Sequence, residues 1–310
     1  MSRKAIARVP ASTTNLGPGF DVLGLALQLY STVELEETGS GREVVVSGID
    51  ANKIPSTSEN ISLQAAELVF ERSGNCPKGL RLVLTNGIPA LRGLGGSGTA
   101  ILGGLLTANA LCGEPFSQSE LLNFACEIEG HPDNVAASLL GGFVVSVTDS
   151  DVVHTIKLDC ASRLQVVVAI PDFPISTKDA RQILPKSVEF KDAAFNVSRS
   201  SLLVAAVATG NFGMLSEAMD DRLHQPYRIP LISGFDEIAE AAKQAGALSV
   251  ALSGAGPTVA AYCISAMHKV AEKMSQAFAR HEVVCDVKIL SIDTTGATVQ
   301  LIQSTSLGSV

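Results

Sequence analysis

The chain has 310 residues, is 46% hydrophobic and only 17% charged, and carries a formal net charge of −8. Those values exclude a disordered or fibrous protein and supply enough apolar material for a large core. No basic stripe accompanies the acidity, so neither a nucleic-acid partner nor attraction to an anionic membrane is expected. Met1 to Pro10 holds no long apolar run, and no signal peptide is expected there. Short β-branched runs predict strands at 32–36, 44–47 and 81–85. Asn60 is placed to cap a helix over 61–72 that stops at Ser73-Gly74. A helix is expected from near Ser97 to about Cys112. Ser117 precedes another at 118–129, with Glu120 at capping-box spacing and Gly130 as the stop. Asn134 is a candidate cap for 135–140, and strands follow at 143–148, 152–158 and 164–170. The apolar run 139–147 is too short to span a bilayer.

Beyond about residue 172 the pattern changes. Helical periodicity covers 198–208, 212–223 and 234–245. Strands at 248–252 and 258–263, a helix at 266–280 and a strand at 283–292 then suggest an antiparallel α+β unit. The change near Pro171-Asp172-Phe173-Pro174 predicts two domains, 1–170 and 171–310. The six cysteines, Cys76, Cys112, Cys126, Cys160, Cys263 and Cys285, form no C-x-x-C pair and no zinc spacing. They read as reduced thiols, and a cytoplasmic location is expected.

Four segments carry the candidate chemistry. Gly93-Leu94-Gly95-Gly96-Ser97-Gly98 fits the G-x-G-x-x-G pattern of dinucleotide sites. Asn86-Gly87-Ile88-Pro89 separates it from its strand, however, and no acidic residue ends a second strand about twenty positions on. No Walker A lysine follows either. The segment reads better as the phosphate loop Pro89-Ala90-Leu91-Arg92-Gly93-Leu94-Gly95-Gly96-Ser97-Gly98-Thr99, opening a helix whose free N–H groups face an anion. It also reads as a turn without a ligand. Residues 9–21 form a constrained loop in which Asn15 and Asp21 offer polar side chains to a ligand, or Asx-turn bonds to the loop itself. Glu129-Gly130-His131-Pro132-Asp133-Asn134 packs two carboxylates, an imidazole and an amide between helices. Ser253-Gly254-Ala255-Gly256-Pro257 joins two apolar strands, as a plain β-turn or as a place where a ligand nears the backbone.

Together these segments resemble the GHMP kinases. Pro10-Ala11-Ser12-Thr13-Thr14-Asn15-Leu16-Gly17-Pro18-Gly19-Phe20-Asp21-Val22-Leu23-Gly24 is similar to the homoserine kinase N-terminal motif. Glu129 to Ala136, Ser176-Thr177 with Ala180-Arg181, and His224-Gln225-Pro226-Tyr227-Arg228 extend the likeness. The resemblance implies an α+β, two-domain GHMP kinase fold, with a ribosomal-protein-S5-like N-terminal domain and a ferredoxin-like C-terminal domain. It implies ATP and magnesium, and phosphorylation of L-homoserine in threonine biosynthesis. ATP would lie in the loop from Pro89 to Thr99, under Gly254 and Gly256. Asn15, Asp21, Asp133 and Asn134 would line the amino-acid pocket, and Arg181 and Arg228 would hold the carboxylate. Asp133, Asn134 and His131 are the candidate catalytic residues. Ser97 and Glu129 would hold magnesium, with Glu127 as an alternative. A homodimer is possible by family likeness. The family loop usually reads Gly-Leu-Gly-Ser-Ser-Ala; here Gly96 and Gly98 replace the first serine and the alanine. A kinase for another carboxylate-bearing alcohol and a non-catalytic ligand-binding protein are the rival readings.

Overall fold

The computed structural model describes residues 3–159 and 163–303. Cys160 lies outside them, and the other five cysteines are free. Two long antiparallel strands come first, β1 (Arg3–Asn15) and β2 (Gly19–Thr38). Ala5, Ala7, Val9 and Ala11 alternate into the core along β1, the two-residue period of a half-buried strand. Residues 9–21 read as a loop in the sequence because small and hydroxyl residues lead into Gly17-Pro18-Gly19; as far as Asn15 they are strand instead. Only Leu16, Gly17 and Pro18 lie between the two strands.

β3 (Gly41–Gly48) follows, then α1 (Ile61–Ser73), whose cap Asn60 accepts the N–H groups of Ser62 and Leu63 as predicted. β4 (Gly79–Asn86) leads to α2 (Gly96–Leu111), and α3 (Gln118–Glu129) opens on the predicted capping box. α4 (Pro132–Leu140) starts before Asn134, contrary to expectation. Pro132 suits the first helical position because its missing N–H would be unpaired there anyway. β5 (Phe143–Asp149) and β6 (Val152–Leu158) form a hairpin.

The second half contains β7 (Gln165–Pro171), α5 (Thr177–Gln182), α6 (Phe190–Thr209), α7 (Leu215–Ala218), α8 (Gln225–Arg228) and α9 (Phe235–Ala245). β8 (Ser249–Leu252), β9 (Val259–Cys263), α10 (Met267–Arg280), β10 (Cys285–Ser291) and β11 (Thr298–Gln303) complete it. The helix expected over 212–223 is reduced to a 3-10 turn and α7. Asp221 accepts the N–H groups of Leu223, His224 and Gln225, offering the backbone a partner outside the helix.

β11, β1, β2, β4 and β3 lie side by side, and β5 joins β2 to β6, giving a seven-stranded sheet. β10, β7, β9 and β8 form a second, antiparallel sheet of four strands. This is the α+β architecture that the motifs imply. The sheets do not divide at 170/171: β7 pairs within the second sheet, and β11 returns to pair with β1 in the first. The apolar run of β7 is buried on both faces and so gave no sign of which sheet it joins. Val166, Val168 and Ile170 pack with Leu16, Leu25 and Phe143 of the first half. Val167 and Ala169 pack instead with Ile238 of α9 and with Met274 and Phe278 of α10. One cluster therefore belongs to both sheets and fixes the cleft between them. Among the described residues no helix is long and apolar enough to cross a membrane.

Candidate active site

One cleft, enclosing about 640 Å³ of open space, gathers residues from all four segments. One wall is the loop from Leu91 to Gly96 and the first turn of α2. Gly95 has φ 72°, and a Cβ there would lie 2.2 Å from Ser12 Oγ, so the position requires glycine. Ser253 Oγ donates to the Gly93 carbonyl (2.6 Å), and the Gly254 N–H donates to the Thr14 carbonyl (3.1 Å). These bonds lace the glycine loop, the end of β1 and the turn after β8 into one wall. In the first turn of α2, the N–H groups of Gly96, Ser97 and Gly98 have no acceptor within the helix. The positive end of the helix therefore faces the cleft at Gly96 and Ser97.

Not every residue of the predicted phosphate loop meets the cleft. Pro89, Ala90, Leu94, Gly98 and Thr99 do not line it. Leu94 belongs to the core, and Thr99 Oγ1 donates to the Gly96 carbonyl. Arg92 is buried and donates to the carbonyls of Pro171 (2.8 Å), Ala90 (3.0 Å) and Asp172 (3.0 Å). Its guanidinium clamps the loop to the end of β7.

Ser97 Oγ donates to Glu129 Oε1 at 2.7 Å. Burial pushes the Glu129 carboxyl up, against the opposing effect of that hydrogen bond. A carboxylate short of compensation beside a hydroxyl and a phosphate-type loop is a donor set of hard oxygens, which fits magnesium. Glu127 is exposed, is bound by Arg72 at 2.7 Å and does not line the cleft. Asp21, His131 and Asp133 also bring ligand atoms within 4.8 Å of one another, but each is already engaged by a neighbouring side chain.

Also lining the cleft, Asp21 accepts two bonds from Arg181, at 2.7 and 2.8 Å. The family resemblance placed Asp21 in the pocket lining and Arg181 on a ligand carboxylate; the structure pairs them with each other. Asn15 donates to the Gly254 carbonyl (2.9 Å) and accepts the Asp21 N–H (3.0 Å). Its amide holds the turn, which is the Asx-type role left open by the sequence. Asp133 is buried and takes the His131 ring at 2.7 Å and the Asn134 N–H at 2.9 Å. Asn134 Oδ1 accepts from Ser12 Oγ at 2.9 Å. Burial works against a charged His131, but the hydrogen bond to Asp133 and the charges of Asp133, Glu129 and Asp21 outweigh it and raise its pKa.

Arg228 is buried at the back of the cleft and donates to the carbonyls of Ala180 (3.1 Å) and Gly254 (3.4 Å). Burial, and then the Arg181 charge, lower its pKa to about 10. Phe20 was not singled out in the sequence. Its ring lies 5.4 Å from the Arg181 guanidinium carbon and 5.2 Å from that of Arg228, a cation–π contact to both. Thr14, Ile175 and Thr177 line the cleft and were also missed as site residues. Thr177 had a signal: it lies on α5, four positions before Arg181, on the same helical face.

Residues 60–142 match the model of the GHMP kinases N terminal domain, and residues 203–280 that of GHMP kinases C terminal. The chain is 47% identical to the homoserine kinase of Moorella thermoacetica, over 95% of this chain and 99% of that one. The chain belongs to the homoserine kinase family. A homoserine kinase from Caldicellulosiruptor bescii is 44% identical over 97% of this chain and 98% of the relative. The crystal structure of homoserine kinase from Cytophaga hutchinsonii superposes with a TM-score of 0.88 at 30% identity, over 96% and 97% of the two chains. The family's two-sheet α+β fold is the one found here.

Proposed function

We propose that the chain transfers the γ-phosphoryl group of ATP to the side-chain hydroxyl of L-homoserine, giving O-phospho-L-homoserine and ADP, a step of threonine biosynthesis. The observation that carries this reading is one cleft lined by a glycine loop and helix N-terminus together with two arginines and two buried or half-buried aspartates. The ATP phosphates lie against the Gly93–Ser97 backbone, where free N–H groups and the end of α2 balance their charge. Arg228 and Arg181 hold the amino-acid carboxylate, and Asp21 and Asp133 hold its ammonium. Ser97 and Glu129 would hold magnesium, which would supply positive charge to balance the phosphates.

The homoserine hydroxyl forms the new O–P bond as the bond from the γ-phosphorus to the bridging oxygen breaks, and ADP leaves. Phosphoryl transfer depends on positioning and charge balance more than on covalent help. His131 and the Asn134 N–H occupy Asp133 Oδ1, and the substrate ammonium would take Oδ2, which leaves no free oxygen for the hydroxyl proton. The hydroxyl proton passes to the transferred phosphoryl group. Asn134, fixed by Ser12, orients the hydroxyl, and His131 fixes Asp133. ADP release with Mg-ATP and L-homoserine, L-serine, mevalonate, shikimate or no acceptor tests the reading. Turnover selective for L-homoserine is expected. Turnover with another acceptor would replace the substrate, and silence from folded, nucleotide-binding protein would make this a ligand-binding relative.

A further inference from the structure

His224 is fully buried behind the pocket and takes no part in the mechanism above. Its two ring nitrogens meet neighbours of opposite character. Nε2 lies 2.7 Å from the Gly17 carbonyl and 3.5 Å from Asp221 Oδ2, and both of these only accept. Nδ1 lies 3.3 Å from Arg228 Nη1, which only donates. A neutral ring with its proton on Nε2 satisfies both sides; an imidazolium would set an N–H against a guanidinium. Burial likewise lowers the His224 pKa, with the Arg228 charge acting in the same direction and Asp221 against it.

We propose that His224 is a positioning residue for the substrate carboxylate, holding the Arg228 guanidinium through Nδ1 and the turn before Asp21 through Nε2. The inference rests on the homoserine kinase reading of the cleft. The other acceptors of Arg228 are backbone carbonyls, those of Ala180 and Gly254. Phe20 offers the guanidinium a ring face without a direction for any one N–H, so His224 is the side chain whose hydrogen bond can fix which way this long, flexible cation points. The turn it grips has no slack, because a Cβ on Gly17 would lie 2.1 Å from the Met219 carbonyl. Asp221 sets the ring in place by accepting the His224 and Gln225 N–H groups. One imidazole therefore sets the distance between the turn that leads into Asp21 and the arginine that meets the carboxylate.

The test compares His224→Leu, which removes both bonds, with His224→Gln, whose amide can accept and donate at opposite ends. His224→Leu is expected to raise the L-homoserine KM about tenfold or more, the worth of a hydrogen bond to a charged group. The KM for ATP and kcat should change much less, and His224→Gln should recover most of the loss. In an Arg228→Ala background, His224→Leu should add little, since its effect runs through Arg228. Equal loss in every kinetic constant, or full additivity with Arg228→Ala, would overturn the proposal. If the leucine variant does not fold, NMR of isotope-labelled histidine in the wild-type protein decides. A bare Nδ1 and protonated Nε2 at neutral pH are expected; the other tautomer or an imidazolium overturns it. A wild-type protein inert towards L-homoserine would sink the substrate reading instead, and the NMR result would still judge the Arg228 contact.

Discussion

Asp21 and Arg181 are joined by two charge-assisted hydrogen bonds, and on the function proposed above an incoming amino acid would replace both. A zwitterion does so without leaving a charge unmatched: its ammonium takes Asp21 and its carboxylate takes Arg181. An alcohol with only a carboxylate strands Asp21. L-Homoserine should therefore exceed 4-hydroxybutyrate in kcat/KM by about a hundredfold, and comparable values would remove Asp21 from ammonium recognition. Arg181→Ala should raise the homoserine KM by about tenfold to a hundredfold; an unchanged KM would take Arg181 out of the pocket. Glu129 makes a pH prediction. Burial raises its pKa, so the folded form holds the proton more firmly than the unfolded chain. Stability then falls as pH rises through the usual carboxylate range towards that raised value. Glu129→Gln should melt higher than wild type at neutral pH without magnesium, with the gain fading in acid, while magnesium-dependent kcat drops by about a hundredfold. A lower melting temperature at neutral pH would reverse the sign of this argument. Asp21 and Glu129 were legible because hydroxyl, amide, imidazole and carboxylate groups crowd short segments of the sequence, whereas Arg181 came from the family resemblance alone. The mutual bonding of Asp21 and Arg181 was not legible, since they lie far apart in the chain and meet only through α5 packing beside the turn after β1.

α1 and α2 approach so closely that a Cβ on Gly104 would lie 2.0 Å from the Ser62 carbonyl. Gly104→Ala should therefore cost about 1–3 kcal/mol by overpacking, read as a lower urea midpoint. No loss would mean that the helices can move apart freely. The capped starts of α1 and α3 were readable because a cap is local: one side chain, three or four N–H groups, one glycine stop. β1 and the start of α4 were harder. The alanines of β1 are strand residues only because β2 and the core lie against them. Arg92 belongs here too. Its position in the loop suggested phosphate, and only the end of β7, distant in sequence, shows that its guanidinium is spent on backbone carbonyls.

The cluster shared by both sheets makes the cleft a property of the whole chain. Phe143 and Leu25 enter it from the first sheet, and Val168 and Ile170 from the second. Phe143→Ala should cost about 3–5 kcal/mol, and calorimetry should still show one unfolding transition, shifted down. Two separated transitions would mean that the halves unfold independently. The return of β11 to the first sheet had no local signal, and it carries one more consequence. Arg3 stands opposite Gln303, so β1 leaves the ribosome long before its outer neighbour exists. Through most of synthesis that edge is an open template for a strand from another nascent chain. Lys4 and Arg8 lie along it, and cations on an edge discourage such pairing. Chains growing side by side on one messenger are thus where this topology is most exposed to misassembly.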